Sequence, residues 1–174
     1  TVDTVVAGPT TATGLLPNTT YQFYVEEDCG ITGPINFTTP IGCFWLGNNS
    51  NWNDPANWSA ACGGVPRGCG APDITVGPTS NDPIVTADDS LNNIDILAGA
   101  SVTIDPTINL FVCGDWTNNG TFSHGDGRVV MDGDTSQTIF GASDFGFLEI
   151  DNTSGNDVSL DPGADVGVQE GLVM

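Results

Sequence analysis

The sequence predicts an all-β chain whose larger part is a parallel β-solenoid. Three observations predict it. Apolar-alternating triplets recur throughout residues 73–174, with Gly, Asn, Asp and Pro clusters between nearly every pair, as expected of stacked structural repeats. The 174 residues include 23 Gly and 11 Pro, with many Asn, Asp and Thr, a composition of turns and strands rather than helices. Hydrophobic residues make up 39 % against 14 % charged, and the acids are scattered singly between apolar residues, so a core can form.

Residues 1–40 read as short strands. Tyr21, Phe23 and Val25 alternate with Gln22, Tyr24 and Glu26, as a half-buried strand does. The turn signal Leu16-Pro17-Asn18-Thr19-Thr20 precedes it, and Ile35-Asn36-Phe37-Thr38-Thr39 follows turns at Gly30 and Gly33-Pro34. The run Gly14-Leu15-Leu16-Pro17-Asn18-Thr19-Thr20-Tyr21-Gln22-Phe23-Tyr24-Val25, with the closing Asn36-Phe37-Thr38-Thr39, resembles the last three strands of a fibronectin type III domain. The opening strands of such a sandwich are missing. Three strands with no opposing sheet bury too little apolar surface to be stable alone. The expectation is therefore a fragment of a longer chain, or a neighbouring chain that completes the sandwich.

Residues 41–72 form an aromatic, glycine-rich stretch. Trp45, Trp52 and Trp58, three of the four tryptophans, lie within fourteen residues of one another. It is too polar for an ordinary strand and too rich in Trp for a linker.

Residues 73–174 carry the repeat. One set of triplets is Ile74-Thr75-Val76, Ile94-Asp95-Ile96, Leu110-Phe111-Val112, Val129-Val130-Met131, Leu148-Glu149-Ile150 and Val166-Gly167-Val168. A second set interleaves: Ile84-Val85-Thr86, Val102-Thr103-Ile104, Gly120-Thr121-Phe122, Thr138-Ile139-Phe140, Val158-Ser159-Leu160 and Leu172-Val173-Met174. This reads as two strands per turn, six turns deep, with a repeat of about 18–19 residues. The alternative is a β-sandwich, whose strands recur about every 8–12 residues. Asn92, Asn93, Asn118, Asn119 and Asn152, near equivalent turns, favour stacked rungs.

Charge narrows the function. The net charge is −20, with Arg67 and Arg128 as the only cations beside the lone His124. Nucleic-acid binding needs a basic surface, which this chain does not supply. Docking on an anionic bilayer is excluded for the same reason, and no run of 18 apolar residues could span one. No basic segment followed by an apolar core opens the chain as a signal peptide would.

Cys29, Cys43, Cys62, Cys69 and Cys113 match no zinc-ligand spacing. An oxidised extracellular protein is the favoured reading, with reduced buried cysteines as the alternative. Cys62 and Cys69 are the disulfide candidates, closing a short loop across Gly63, Gly64 and Pro66. The odd total leaves one cysteine free or bonded outside the chain.

Trp45-Leu46-Gly47, then Ser50-Asn51-Trp52-Asn53-Asp54-Pro55-Ala56-Asn57-Trp58-Ser59, then Val65-Pro66 and rungs such as Gly114-Asp115-Trp116-Thr117-Asn118-Asn119-Gly120-Thr121-Phe122, resemble large secreted surface proteins of the Bacteroidetes type. The resemblance covers residues 43–174. It implies export by type IX secretion, an extracellular or cell-surface location, and O-glycans on Asp-Ser/Thr-apolar triplets. Thr4 in Asp3-Thr4-Val5 and Ser90 in Asp89-Ser90-Leu91 fit that pattern. The C-terminal sorting domain usual in such proteins is not in this sequence, and Met174 falls within a strand triplet, which suggests that more chain follows.

Three site hypotheses remain. Trp45, Trp52 and Trp58 either cap the first rung or stack on carbohydrate rings. Asp126, Asp132 and Asp134 are the best calcium candidates, calcium being the one cofactor the sequence suggests, although no calcium-loop spacing is present. Turn aspartates that bond their own backbone account for the same positions. No catalytic residue stands out. Uronic-acid lyases generally use cations that this chain lacks, no Gly-x-Ser-x-Gly motif accompanies His124, and no carboxylate pair is singled out for glycoside hydrolysis. The sequence therefore points to a non-enzymatic structural or adhesive segment, able to self-associate into a fibre. A carbohydrate-binding accessory region of a secreted enzyme is the alternative, and a glycoside hydrolase is third.

Overall fold

A computed structural model of the chain describes residues 20–27, 30–38, 42–152, 155 and 157–174. The chain divides into two compact units, Thr1–Ile41 and Gly42–Met174. The Trp-rich stretch belongs to the same unit as the repeat.

In the first unit, strands β1 (Thr20–Glu27) and β2 (Gly30–Thr38) form an antiparallel ladder, from Thr20 opposite Thr38 to Glu27 opposite Gly30. The register shifts between Phe23 and Val25, where Gly33 and Pro34 together face Tyr24. Gly33 adopts a positive φ of 147°, and Pro34 has no N–H to give to a ladder, so the extra residue is accommodated as a bulge. Gly33-Pro34 is therefore a bulge within β2 and not a turn between strands. The residues at 14–19 that open the fibronectin-like match lie outside the described residues, as does Cys29.

The second unit is a β-solenoid of five turns, and among its described residues there is no α-helix. After β3 (Cys43–Phe44), the first rung comprises β4 (Ile74–Val76), β5 (Ile84–Val85) and β6 (Asp89–Leu91). The second comprises β7 (Ile94–Ile96), β8 (Ser101–Ile104) and β9 (Asn109–Val112). The third comprises β10 (Trp116–Asn118), β11 (Thr121–Ser123) and β12 (Arg128–Met131). One long strand, β13 (Gln137–Ile150), makes the fourth turn, and β14 (Val158–Leu160) with β15 (Asp165–Val173) makes the fifth. Every pairing between rungs is parallel.

Each turn visits three faces rather than two. Face one stacks β3, β4, β7, β10, the start of β13 and β14; face two stacks β5, β8 and β11; face three stacks β6, β9, β12 and the end of β13. The stacking partners Ile74, Ile94, Trp116 and Ile139 set the true repeat at 20 to 23 residues on face one. The shorter repeat holds on face three, where Asn109, Arg128 and Phe147 stack 19 residues apart; the sixth turn came from triplet sets that pass from one face to another. Within the repeat the strands missed were β6 and β10, because Asp89 and Asn118 point inward on them and are buried; β3 was missed in the Trp-rich stretch before it. A buried polar residue at an inward position makes a strand read as a turn.

Inward positions alternate with outward ones along the short strands of the first two rungs, for example buried Ile74 and Val76 flanking half-buried Thr75, while in β12 Val129, Val130 and Met131 are all buried. The inward columns join one core running from Trp45 to Leu148, with Val166 and Val168 packed against its far end. Gln137 is buried inside it, donating to the carbonyls of Val112 (2.8 Å) and Gly114 (2.6 Å) and accepting from Gly133 N–H (2.9 Å). One side chain thereby ties rung four to rungs two and three.

The segment before the first rung is a degenerate rung. It covers face one through β3 on β4, face two through a bridge from Asn51 to Ile84, and face three through Gly68 N–H donating to Ser90 O at 2.8 Å. Trp45, Trp52 and Trp58 fill its interior at 2 %, 0 % and 4 % exposure. An open rung would expose both core and unpaired backbone, and this arrangement removes both liabilities at that end. At the other end, Leu160, Leu172 and Val173 of the fifth rung are exposed.

Candidate functional site

The tryptophans pack on one another. Trp45 and Trp52 stack with centroids 6.3 Å apart, and Trp58 meets them edge-on at 5.1 and 4.8 Å. All three indole N–H groups donate internally: Trp45 to Asn81 O (2.8 Å), Trp52 to Asp89 Oδ2 (2.8 Å) and Trp58 to Trp52 O (2.9 Å). Sugar stacking needs an exposed ring face, and none of the three offers one. The carbohydrate assignment to Trp45, Trp52 and Trp58 is therefore corrected, and they are the cap.

The cysteine assignment is corrected as well. Cys62 bonds Cys43, and Cys69 bonds Cys113. Ser59 N–H donates to Phe44 O (2.9 Å), which brings the 3-10 turn Ala60–Cys62 against β3. Gly63 and Gly64, at φ 71° and 130°, then lead the chain away toward face three, where Cys69 meets the turn after β9. A bond between Cys62 and Cys69 would have held that loop closed on itself. Closing spans of 19 and 44 residues restricts the unfolded chain by about 3 and about 4 kcal/mol.

The calcium candidates do not converge. Asp126 sits before β12 at a positive φ of 64°, while Asp132 and Asp134 follow that strand. Asp126 and His124 form a turn, with Asp126 N–H donating to His124 Nδ1 at 3.1 Å. Among the described residues, the one grouping of metal-type side chains is Cys69, Cys113 and Asp132, and its two sulfurs are joined to each other. Burial, reinforced by the charge of Asp151, pushes the Asp132 carboxyl above its ordinary value. Of the two glycosylation candidates, Thr4 lies outside the described residues and Ser90 is half-buried in β6.

Two shallow concavities among the described residues of the solenoid surface hold polar side chains. The smaller, about 210 Å³, lies on face two among Thr121, Phe122, Ser143, Asp144 and Asp165. It arises because β11 pairs only with β8, leaving a break in the ladder between rungs three and four. The rings of Trp116, Phe122 and Phe145 wedge under this break, with centroids 4.8 to 5.7 Å apart. Side chains bridge it in place of strand pairing: Trp116 Nε1 and Asn118 Nδ2 both donate to Ser143 Oγ, at 2.9 and 3.0 Å.

The larger, about 310 Å³, lies on face three and is bounded by Arg67, Asp88, Asp89, Ser90 and Phe111. Sequence reasoning missed it. Arg67 reaches it from the degenerate rung, while Ser90 and Phe111 are stacked partners on adjacent rungs. Asp89 lies at its base, its side chain 3 % exposed, and pairs with Arg67 Nη1 at 3.4 Å. Its carboxylate also accepts from Trp52 Nε1 and from Ser90 N–H (2.9 Å). Asp88 accepts from the backbone and side chain of Asn109 at 2.8 and 3.2 Å, and these bonds hold its carboxyl below the ordinary value. The one signal for this site was Arg67 itself, one of two arginines in a chain of charge −20.

No protein-family model matches the chain, and no curated protein and no solved structure is similar to it.

Proposed function

We propose that this chain is a non-enzymatic structural segment of an extracellular surface protein. The observation that supports this best is the single core running through five rungs from a disulfide-tied cap. Such a stack extends in one direction by about 4.8 Å per rung, each rung pairing the backbone of the last. Disulfides and the absence of lysine from a surface of net charge −20 suit an oxidising, crowded exterior. The resemblance to secreted surface proteins supports the same location, and the fibronectin-like segment at residues 1–40 fits a multidomain stalk.

Self-association belongs to this reading in a restricted form. The purified 174-residue chain presents Leu160, Leu172 and Val173 at the edge of rung five, which can meet the same edge of a second copy, whereas the cap closes the opposite end of the solenoid. A contact of one surface with itself is isologous and closes at two. Electron microscopy of the purified protein should show single particles and two-fold pairs, and long filaments would refute this form of assembly. Incubation with neutral polysaccharides should release no reducing ends. Turnover abolished by one Asp→Asn substitution would overturn the non-enzymatic reading.

A further inference from the structure

We infer that the face-three concavity is a binding site for one neutral sugar ring of a glycan. The wall carrying Arg67 is anchored at four points: Gly68 N–H to Ser90 O, Cys69 to Cys113, Arg67 to Asp89, and Arg67 Nη2 donating to Asn53 Oδ1. The base is equally fixed, since Trp52 holds Asp89 from inside the cap. The shape therefore exists before any ligand arrives, which removes an ordering cost from binding.

The chemistry of the lining selects the ligand class. Phe111 points outward between buried Leu110 and Val112 and presents an apolar patch for the C–H face of a pyranose. Arg67, with Nη1 toward Asp89 and Nη2 donating to Asn53 Oδ1, supplies its remaining N–H donors in one plane, and Asp88 supplies a planar acceptor. Each Asp88 oxygen has one lone pair taken by Asn109 and a second left over. The Ser90 hydroxyl can donate or accept. Vicinal sugar hydroxyls need this mixture of planar donors and acceptors beside an apolar face. The volume, about 310 Å³, sits at the small end of ligand sites, roughly 300–1,000 Å³. A single ring is accommodated, with the rest of the glycan in solvent.

Charge separates neutral from acidic sugars. Two carboxylates share the site with one guanidinium that is already paired, inside a field of net charge −20. An anionic ring would be repelled. This inference is independent of the structural role proposed above, because it concerns one surface concavity and not the stack.

The test is amide NMR of the full chain titrated with the methyl glycosides of D-glucose, D-galactose, D-mannose and D-glucuronic acid. At least one neutral glycoside should give saturable shifts at Arg67, Gly68, Ser90 and Phe111, with a Kd on the order of millimolar for so open a site. Phe111→Leu and Ser90→Ala should each weaken it, by about tenfold for Phe111→Leu, while the melting temperature stays near that of the parent. Three results would each overturn the inference. One is no saturable shift for any neutral glycoside up to roughly 50 mM, well above millimolar affinity. A second is tighter binding of the glucuronide. The third is undiminished affinity in Phe111→Leu.

Discussion

Replacing Gln137 by Leu removes the polar clamp of the solenoid while keeping its approximate volume. Gln137 is fully buried and makes four hydrogen bonds: to Val112 O at 2.8 Å, to Gly114 O at 2.6 Å, from Gly133 N–H at 2.9 Å and from Asn152 Nδ2 at 3.2 Å. Each bond contributes about 1 kcal/mol net, and a buried N–H left unpaired costs about 1–3 kcal/mol. Val112 O is partly compensated because it also accepts from Asp132 N–H at 3.0 Å. The leucine regains about 1–2 kcal/mol of apolar burial. The net loss should be about 3 kcal/mol, or roughly 10 °C in melting temperature for a unit of this size. Urea unfolding followed by near-UV circular dichroism measures it, and hydrogen exchange at the Gly133 amide provides the local readout. Gln137→Glu should be worse, because it sets a charge against two carbonyl oxygens. A loss below about 1 kcal/mol in Gln137→Leu, or wild-type stability in Gln137→Glu, would refute the clamp.

Three further outcomes are expected. Reduction of both disulfides should lower the unfolding free energy of the second unit, read from urea titration, by an amount near the sum of about 3 and about 4 kcal/mol; peptide mapping without reductant should recover Cys43 with Cys62 and Cys69 with Cys113. Gly141→Ala should cost at least about 2 kcal/mol in the same assay, since Gly141 sits at φ +77° and an added Cβ would overlap the Asn118 carbonyl oxygen. The pH profile should have two limbs. Burial raises the Asp95 carboxyl above 3.8, so the folded state holds that proton more tightly than the unfolded chain and gains stability as pH falls toward the raised value. Hydrogen bonds from Asn49 and Ala56 lower Asp54, and those from Asn109 lower Asp88, so their contribution, present above the ordinary value, is lost as pH falls through the lowered ones. Asp95→Asn should raise the melting temperature at pH 7 and flatten the first limb; an unchanged profile would contradict the burial of that carboxylate.

Much of the fold was legible because strand burial is a local matter. Ile74-Thr75-Val76, Ile94-Asp95-Ile96 and Val102-Thr103-Ile104 alternate in sequence, and strands lie at each place. The count of strands per turn was not legible. Asp89 and Asn118 occupy inward positions because Arg67 and Trp52, and the Ala142 carbonyl and Ser143, satisfy them there. Asp89 and Asn118 each also accept from a nearby N–H, of Ser90 and Gly120, but the partners that let them be buried come from other rungs, so no local pattern signals that burial.

The site followed the same division. A cluster of Trp residues has two readings in sequence, stacking surface or cap, and only the burial of the rings chose between them. Arg67 sits 22 residues before Asp89 and far from Phe111 in the chain, and its loop meets both because Cys69 is bonded 44 residues away to Cys113. Sequence by itself determined that the chain is β, repetitive, acidic and cored by alternating apolar residues, since period-two burial and composition are written residue by residue. The tertiary structure alone decided that each turn has three faces, which cysteines bond, which aspartates stay apart, and where Arg67 lands. Those outcomes depend on which residues some 20 to 44 positions apart become neighbours when rungs stack, and no local pattern encodes that distance.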